Sequence, residues 1–599
     1  MLWLIAVLLG LAGAALQYGW GSPRRILAAK APAALRAAAL ALVVALLVGA
    51  PGGPAHLPKP WVALDASSSM ARAGDSLAWR AAVDSAGAVH ADSLFLFGDS
   101  LRAGTPPKLP DDTRSDIGPV VERALATSRP VVVVTDGEGA QRAQLHRLPA
   151  GSRVIVVPHA PVHDVAAVNL DVPRAVVGGD TVEARVTIGA GPGGSGPGTA
   201  RLFLDGRLLA AVPFDSLGAY ARRDLSTRIR VSGPEGPAAL RAVVSAAGDA
   251  EPRNDTLGTG MDISRQPGAV FVSTSPDYDA RYALAVLRGA LALPTRAFYY
   301  LSPGNWRVDG SYAPVTEAEV RSAFRDAPVA VLHGDTAVFG PPREATRAPL
   351  ALIVPTTGDG NEWYASAAPV SPLAAALSGV VWDSLPPLLV GRVEPKGHWH
   401  ALEVRRGREA VTRTIIAGDD SPRRVVTVAA SDLWRWEFRG GASADAFTAL
   451  WGGIFDYLAS ERADRRAAVP DAGLVRAGQP VTWRHGAAGD SAVTVALARR
   501  GSRAVDTLQL RFPSGSATAV SSPLPAGTYD ASMPGGSAVL VVNASEELVP
   551  RPPGVASAAV GGSPARGSAP PARDSAWPYV ALVVLLCGEW LLRRRAGLR

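Results

Sequence analysis

The run Trp61-Val62-Ala63-Leu64-Asp65-Ala66-Ser67-Ser68-Ser69-Met70 is an apolar strand that ends in Asp-x-Ser-x-Ser. A buried strand that finishes on a carboxylate followed by alternating hydroxyls sets hard oxygen donors at one sheet edge, the donor type that Mg²⁺ requires. Asp and Ser also cap helices and shape turns, so the motif has a purely structural reading as well. Two further segments bear on the choice. Val131-Val132-Val133-Val134-Thr135-Asp136-Gly137-Glu138 is a second buried strand ending on a carboxylate and a turn glycine, as parallel strands of an α/β sheet do. Asp111-Asp112-Thr113-Arg114-Ser115-Asp116-Ile117-Gly118 is a polar loop that opens a helix through Val120, Val121, Ala124 and Leu125. Loops at the carboxyl ends of parallel strands are thereby expected to converge on one crevice.

On these residues the segment 60–158 resembles a von Willebrand factor type A domain, a Rossmann-like fold with a metal-ion-dependent adhesion site. Asp65, Ser67 and Ser69 match the first element of that site, and Asp136 matches the Asp of its Thr/Ser-Asp-Gly turn. Ser115 stands where the family has threonine, with Thr113 two residues earlier. The resemblance implies that Ser67, Ser69 and Ser115 touch Mg²⁺ (or Mn²⁺) directly, with Asp65 and Asp136 acting largely through water. It also implies one coordination position left for a carboxylate from a partner, which makes a recognition device rather than a catalyst.

The chain has 599 residues, enough for several domains of ~100 to 200 residues each. Its one cysteine, Cys587, lies in an apolar run, which excludes disulfides, zinc–thiolate clusters and cysteine nucleophiles within the chain. Apolar segments at 1–18, 37–50 and 577–592 are expected to be three transmembrane helices. Arg24, Arg25, Lys30 and Arg36 between the first two, and Arg593, Arg594, Arg595 and Arg599 at the end, fit one topology under the positive-inside rule. That topology implies a multi-pass protein of the bacterial cytoplasmic (inner) membrane with the bulk of the chain periplasmic. These eight basic residues account for the net charge of +7, so the basic balance is no argument for nucleic acid.

The remaining chain divides by pattern into a multidomain α/β plus all-β array. Residues 160–264 alternate apolar and polar positions between Gly, Pro, Ser and Asp turns, a β-sandwich signature, with Pro252-Arg253-Asn254-Asp255-Thr256 similar to immunoglobulin-type bacterial spacers. Residues 267–460 return to alternating strands and helices, an open α/β sheet. Through Ser431-Asp432-Leu433-Trp434-Arg435-Trp436 and Asp445-Ala446-Phe447 this part resembles the flavodoxin-like, glutamine-amidotransferase-like domain of large membrane proteins in the bacterial aerotolerance (Bat) group. Amidotransferases need a cysteine nucleophile, and none lies in this segment. Residues 470–548 read as a second β-sandwich, and 551–576, rich in Pro, Ala, Gly and Ser, as a flexible linker.

Smaller constellations have competing readings. His398, His400 and Glu403 have the spacing of a metal site on one strand face, though a surface strand is the commoner arrangement. Ser273-Thr274-Ser275 follows a strand without a Gly-x-Ser-x-Gly elbow and reads as a helix cap. The expected function is therefore a non-enzymatic scaffold or receptor that uses Mg²⁺ to hold an acidic residue of another envelope protein. The resemblance adds other Bat-like membrane proteins and an associated ATPase as candidate partners. The alternative is an envelope hydrolase or transferase with its active site in the 267–460 domain.

Overall fold

The computed structural model describes residues 2–18, 29–52, 59–74, 76–138, 142–290, 293–366, 370–407, 411–460, 464–471, 473–486, 491–513, 516–560 and 571–597. The chain begins with helices α1 (Leu2–Tyr18) and α2 (Lys30–Leu47), which pack tightly because Gly10 of α1 faces the backbone of Ala37 and Ala41, where a Cβ would not fit.

A sheet with a parallel centre and an antiparallel edge strand, β3, follows, built from β1 (Trp61–Asp65), α3 (Ser76–Gly87), β2 (Leu94–Phe97), β3 (Arg102–Ala103), α4 (Gly118–Thr127), β4 (Val131–Thr135) and β5 (Ser152–Val156). Every residue of β1 and β4 is buried, as expected of central strands covered on both faces. Ala63 and Val133 point into one layer with Val120, Val121 and Ala124 of α4, and Val62 and Val134 into the other with Trp79 and Ala82 of α3. The strand after β1 pairs on one side and β4 on the other, so the chain reverses its direction of winding at β1. Its carboxyl end, with that of β4, is the switch point where open α/β sheets hold ligands.

Two β-sandwiches flank a second α/β unit. The first sets a five-stranded sheet on a three-stranded one over a core that includes Val186, Ile188, Leu202 and Leu240. The second has the same division around Trp483, Val495 and Leu540. They are joined directly: Asn543 accepts a hydrogen bond from the Gly258 amide at 2.6 Å and donates to its carbonyl at 2.9 Å.

Between them lies a ten-stranded sheet with a parallel centre. That centre comprises β6 (Ala269–Ser273), β7 (Thr295–Ser302), β8 (Ala330–His333), β9 (Leu350–Ile353) and β10 (Val425–Val428), with α5 (Tyr278–Ala290) and α6 (Glu317–Arg325) among the connections and α7 (Ala442–Ala459) packed in the same core as α5. β6 has β7 on one side and β8 on the other, so this sheet also has its switch point at its first strand.

Of the segment read from composition as a linker, 551–576, residues 561–570 lie outside the described residues, and 551–560 include a strand. β11 (Ala558–Val560) pairs antiparallel with β5 and extends the first sheet to six strands, in the order β3-β2-β1-β4-β5-β11. Backbone pairing needs no particular side chains at an edge strand, and Val555 and Val560 add apolar contact with the sheet's core. Helix α8 (Trp577–Arg595) then returns to α2, where buried Glu589 accepts from Tyr18 at 2.5 Å and pairs with Arg36 at 3.1 Å.

The expectation of three transmembrane helices is corrected here. Among the described residues, one helix, Lys30–Leu47, is long and apolar enough to cross a membrane. At 17 residues, α1 is a shorter apolar helix that falls below that length. In α8 the apolar run is interrupted by Glu589 and ends in Arg593, Arg594 and Arg595. The multi-pass inner-membrane localisation with a periplasmic bulk rested on the same three spans and falls with them.

Candidate metal centre

Asp65 closes β1 and is fully buried. Its Oδ1 accepts from the Ser67 amide at 3.0 Å, an Asx turn that bends the chain at the strand end. The same turn brings Ser67 and Ser69 side by side, their hydroxyls 3.0 Å apart, both buried.

The second loop is held against the first. The Asp112 amide donates to the Ala66 carbonyl at 3.1 Å, and the Ser68 amide donates to the Asp112 carbonyl at 2.8 Å. Arg102 grips the Asp112 carboxylate with two bonds of 2.6 and 3.0 Å. Gly98 leaves the room that this carboxylate occupies, since any Cβ there would collide with it. So anchored, the loop delivers the Ser115 hydroxyl to Asp65 Oδ2 at 2.7 Å. Thr113 turns away, its hydroxyl donating to Asp99 at 2.8 Å, so it is Ser115 that joins the site.

The third loop follows β4. Gly137 adopts a φ of +82°, which lets the chain double back so that the Glu138 amide donates to Asp136 Oδ1 at 2.9 Å. The structure thus brings together Asp65, Ser67, Ser69, Ser115 and Asp136.

Five participants have weaker signals or none. Thr135 donates to Asp65 Oδ2 at 2.8 Å and could be read from its place beside Asp136. His159, beyond β5, lies 3.3 Å from Asp136 Oδ2. Arg72 and Glu138 form a buried bidentate pair at 2.9 and 2.8 Å. Glu547, from the far end of the second sandwich, accepts from the Ser115 amide at 3.2 Å.

The electrostatics are those of an acid pair short of positive charge. Burial, and then the charge of Asp136, push the Asp65 carboxyl up to about 7, against the bonds from Ser67 and Ser115. For Asp136 burial acts upward too, but bonds from His159, Ser69 and the Glu138 amide outweigh it and hold it down at about 2. The pair as a whole therefore retains a proton into the neutral range unless a cation replaces it.

The donor set fits a hard divalent ion: hydroxyl and carboxylate oxygens on three loops, two of them from acids with no Lys or Arg in ion-pair contact among the described residues. No group of three or more His, Cys, Asp or Glu side chains suited to a metal occurs among the described residues. A cation here would rest on serine hydroxyls in addition to the two carboxylates.

The other sequence candidates resolve differently. His398 Nδ1 is 2.7 Å from Asp419, while His400 is exposed on the following strand, and the two do not converge with Glu403. Ser273, at the end of β6, lies 3.0 Å from His333 Nδ1 at the end of β8, and His333 Nε2 lies 3.4 Å from Asp277. Ser273 and His333 are both fully buried, so this trio has the composition of a nucleophile with its base but no exposure to substrate.

No family model matches the chain, and no curated protein matches it. Among solved structures, the chain is similar to the CARDB domain of the PF1109 protein from Pyrococcus furiosus, described in complex with di-metal ions. That match has 18% identity over 17% of this chain and 90% of that one, with a TM-score of 0.16. A putative cell surface protein domain from Methanosarcina acetivorans matches at 20% identity over 18% of this chain and 95% of its own, with a TM-score of 0.16. A beta-glucosidase from Listeria innocua matches at 10% identity over 38% of this chain and 50% of its own, with a TM-score of 0.14. TM-scores this low carry no argument about function.

Proposed function

We propose that the 60–158 unit is a metal-dependent binding module of the von Willebrand factor A type, which uses Mg²⁺ or Mn²⁺ to hold an acidic side chain of a partner protein. The observation that supports this most directly is the convergence of two buried carboxylates and three serine hydroxyls at a sheet switch point, with no Lys or Arg in ion-pair contact with either acid among the described residues. Ser67, Ser69 and Ser115 would supply the direct oxygens, and Asp65 and Asp136 the compensating charge. A bound divalent ion supplies Lewis acidity toward one further carboxylate oxygen. The chain's own residues orient the site: Thr135 and the Ser67 amide fix the Asp65 carboxylate, and His159 fixes that of Asp136.

The module binds and does not catalyse. The full burial of Ser273 and His333 weighs against that pair as the active site of a hydrolase or transferase in the 267–460 unit.

Titration calorimetry of the full chain with Mg²⁺ and Mn²⁺ tests the proposal. Saturable binding that disappears in Asp65→Ala and weakens by about tenfold or more in Ser67→Ala is the expected outcome. A folded chain that binds neither ion would overturn it.

A further inference from the structure

We infer that the coordination position reserved for a partner's acid is filled by the chain's own Glu547, so that residues 543–560 form a built-in occupant which any external acid must displace. This rests on the metal-site reading above.

The segment leaves the last strand of the second sandwich, Gly536–Asn543, and crosses all three loops of the site. Ser545 donates to the Thr113 carbonyl at 2.6 Å and, as the cap of a short 3₁₀ turn, accepts from the Glu547 amide at 3.0 Å. That turn aims the Glu547 side chain inward, where its Oε1 meets the Ser115 amide. Arg72, just beyond Ser69, donates to the Glu547 carbonyl at 2.9 Å. Past the turn, the Arg551 amide bonds Glu138 at 3.3 Å, the Gly554 amide bonds Gly137 at 2.7 Å, and β11 continues along β5.

The chemistry singles out Glu547 within the segment. Glu546 is exposed, whereas Glu547 is 9% exposed and points to the residue whose hydroxyl is bonded to Asp65. A third carboxylate brought to a buried acid pair is repelled at close range, and one salt bridge, Arg551 at 2.7 Å, offsets part of that cost. A divalent ion at the serines converts the repulsion into coordination. Arg551, four residues along the same segment, holds the other oxygen of the same carboxylate, Oε2.

The experiment uses the full chain, with Mn²⁺ as the probe, in wild type, Glu547→Gln, Glu547→Asp, Glu546→Gln and Asp65→Ala forms. Calorimetry gives affinity, and amide hydrogen exchange across 543–560 is followed with and without Mn²⁺. Glu547→Gln keeps an oxygen for the Ser115 amide, so the fold is retained; Glu547→Asp keeps the charge but shortens the reach. Expected results are a loss of Mn²⁺ affinity of about tenfold in Glu547→Gln, a smaller loss in Glu547→Asp and none in Glu546→Gln. Mn²⁺ should also slow exchange at 545–551 in the wild type and not in Glu547→Gln. Asp65-dependent binding that is equal in wild type and Glu547→Gln, with exchange unmoved by Mn²⁺, would overturn the inference and leave the metal site standing. A wild-type chain that binds no Mn²⁺ would overturn both.

Discussion

The two parallel sheets of this chain place polar pairs at equivalent positions. In each, the first strand and the strand across the switch point end in polar side chains: Asp65 and Asp136 in one, Ser273 and His333 in the other. The pairs differ in charge. At the second edge an imidazole faces a hydroxyl on one side and the Asp277 carboxylate on the other, and His333 holds Asp277 below the usual carboxylate range despite burial. At the first edge one imidazole, His159, faces two acids, and it contacts only Asp136. The same fold position thus pairs acid with base in one case and, in the other, sets two acids against one imidazole, which is the arrangement the proposed cation would complete.

The sharpest way to break this comparison is to remove a charge beside the first edge that is already neutralised. Arg72 and Glu138, each about 2% exposed, form a complete pair next to the incomplete one. Truncating one partner of a buried pair leaves the other unpaired, so Arg72→Ala should destabilise the chain by about 3–5 kcal/mol. The loss should be read by chemical denaturation, and Mg²⁺ should not restore it, because Glu138 lies outside the serine cluster. Recovery on adding Mg²⁺ would mean that Glu138 belongs to the metal site and that the division drawn here is wrong.

A pH series sharpens it further. Burial pushes Asp279, at the second edge, up to about 6 although it accepts from the amides of Trp434 and Asp432 at 2.7 and 2.8 Å. Its folded state holds a proton more tightly than the unfolded chain, so stability is full below about pH 4 and declines as pH rises toward 6. The decline is on the order of 2–3 kcal/mol, and Asp279→Asn should remove it. Asp65, raised to about 7, contributes a decline of the same sign that extends to higher pH. Since a divalent ion replaces that proton, Mg²⁺ should flatten the Asp65 part and leave the Asp279 part intact. Denaturation midpoints from pH 4 to 8, with and without Mg²⁺, separate the two edges. A Mg²⁺ effect confined to pH below 6 would assign the ion to neither.

The two edges also differ in how far the sequence reveals them. The apolar runs at 61–65 and 131–135 are strands because buried parallel strands carry unbroken apolar residues, and the carboxylates that end them are visible in the same runs. Ser115 is legible as a hydroxyl on the intervening loop. Glu547 is not: it is 432 residues from Ser115, and nothing local marks it apart from Glu546. The Pro- and Ala-rich stretch after 551 suggests a tether, yet part of it is an edge strand, since backbone hydrogen bonds leave no trace in composition. Hydropathy overstates the helices at the chain ends because it weighs apolar content without the length of α1 or the buried Glu589 of α8. At the second edge, Ser273 reads as a helix cap, but the cap is Asp277, which accepts from the Ala280 amide at 2.8 Å.

The smallest expected effect comes from the residue at which the first edge departs from the adhesion-site pattern. Ser115 donates to Asp65 Oδ2 at 2.7 Å and is only half-buried, so a methyl group added to its Cβ has a direction open to solvent. Threonine keeps the hydroxyl and restricts its rotamers, which lowers the entropy lost when that oxygen is fixed on an ion. Ser115→Thr should therefore tighten Mg²⁺ or Mn²⁺ binding by about threefold or less with unchanged thermal stability, whereas Thr113→Ser, on the side turned toward Asp99, should leave affinity as it is. A tightening at Thr113 with none at Ser115 would place the ion on the other side of the loop, toward Asp99, and dissolve the contrast between an edge that recruits a cation at its switch point and one that carries its own.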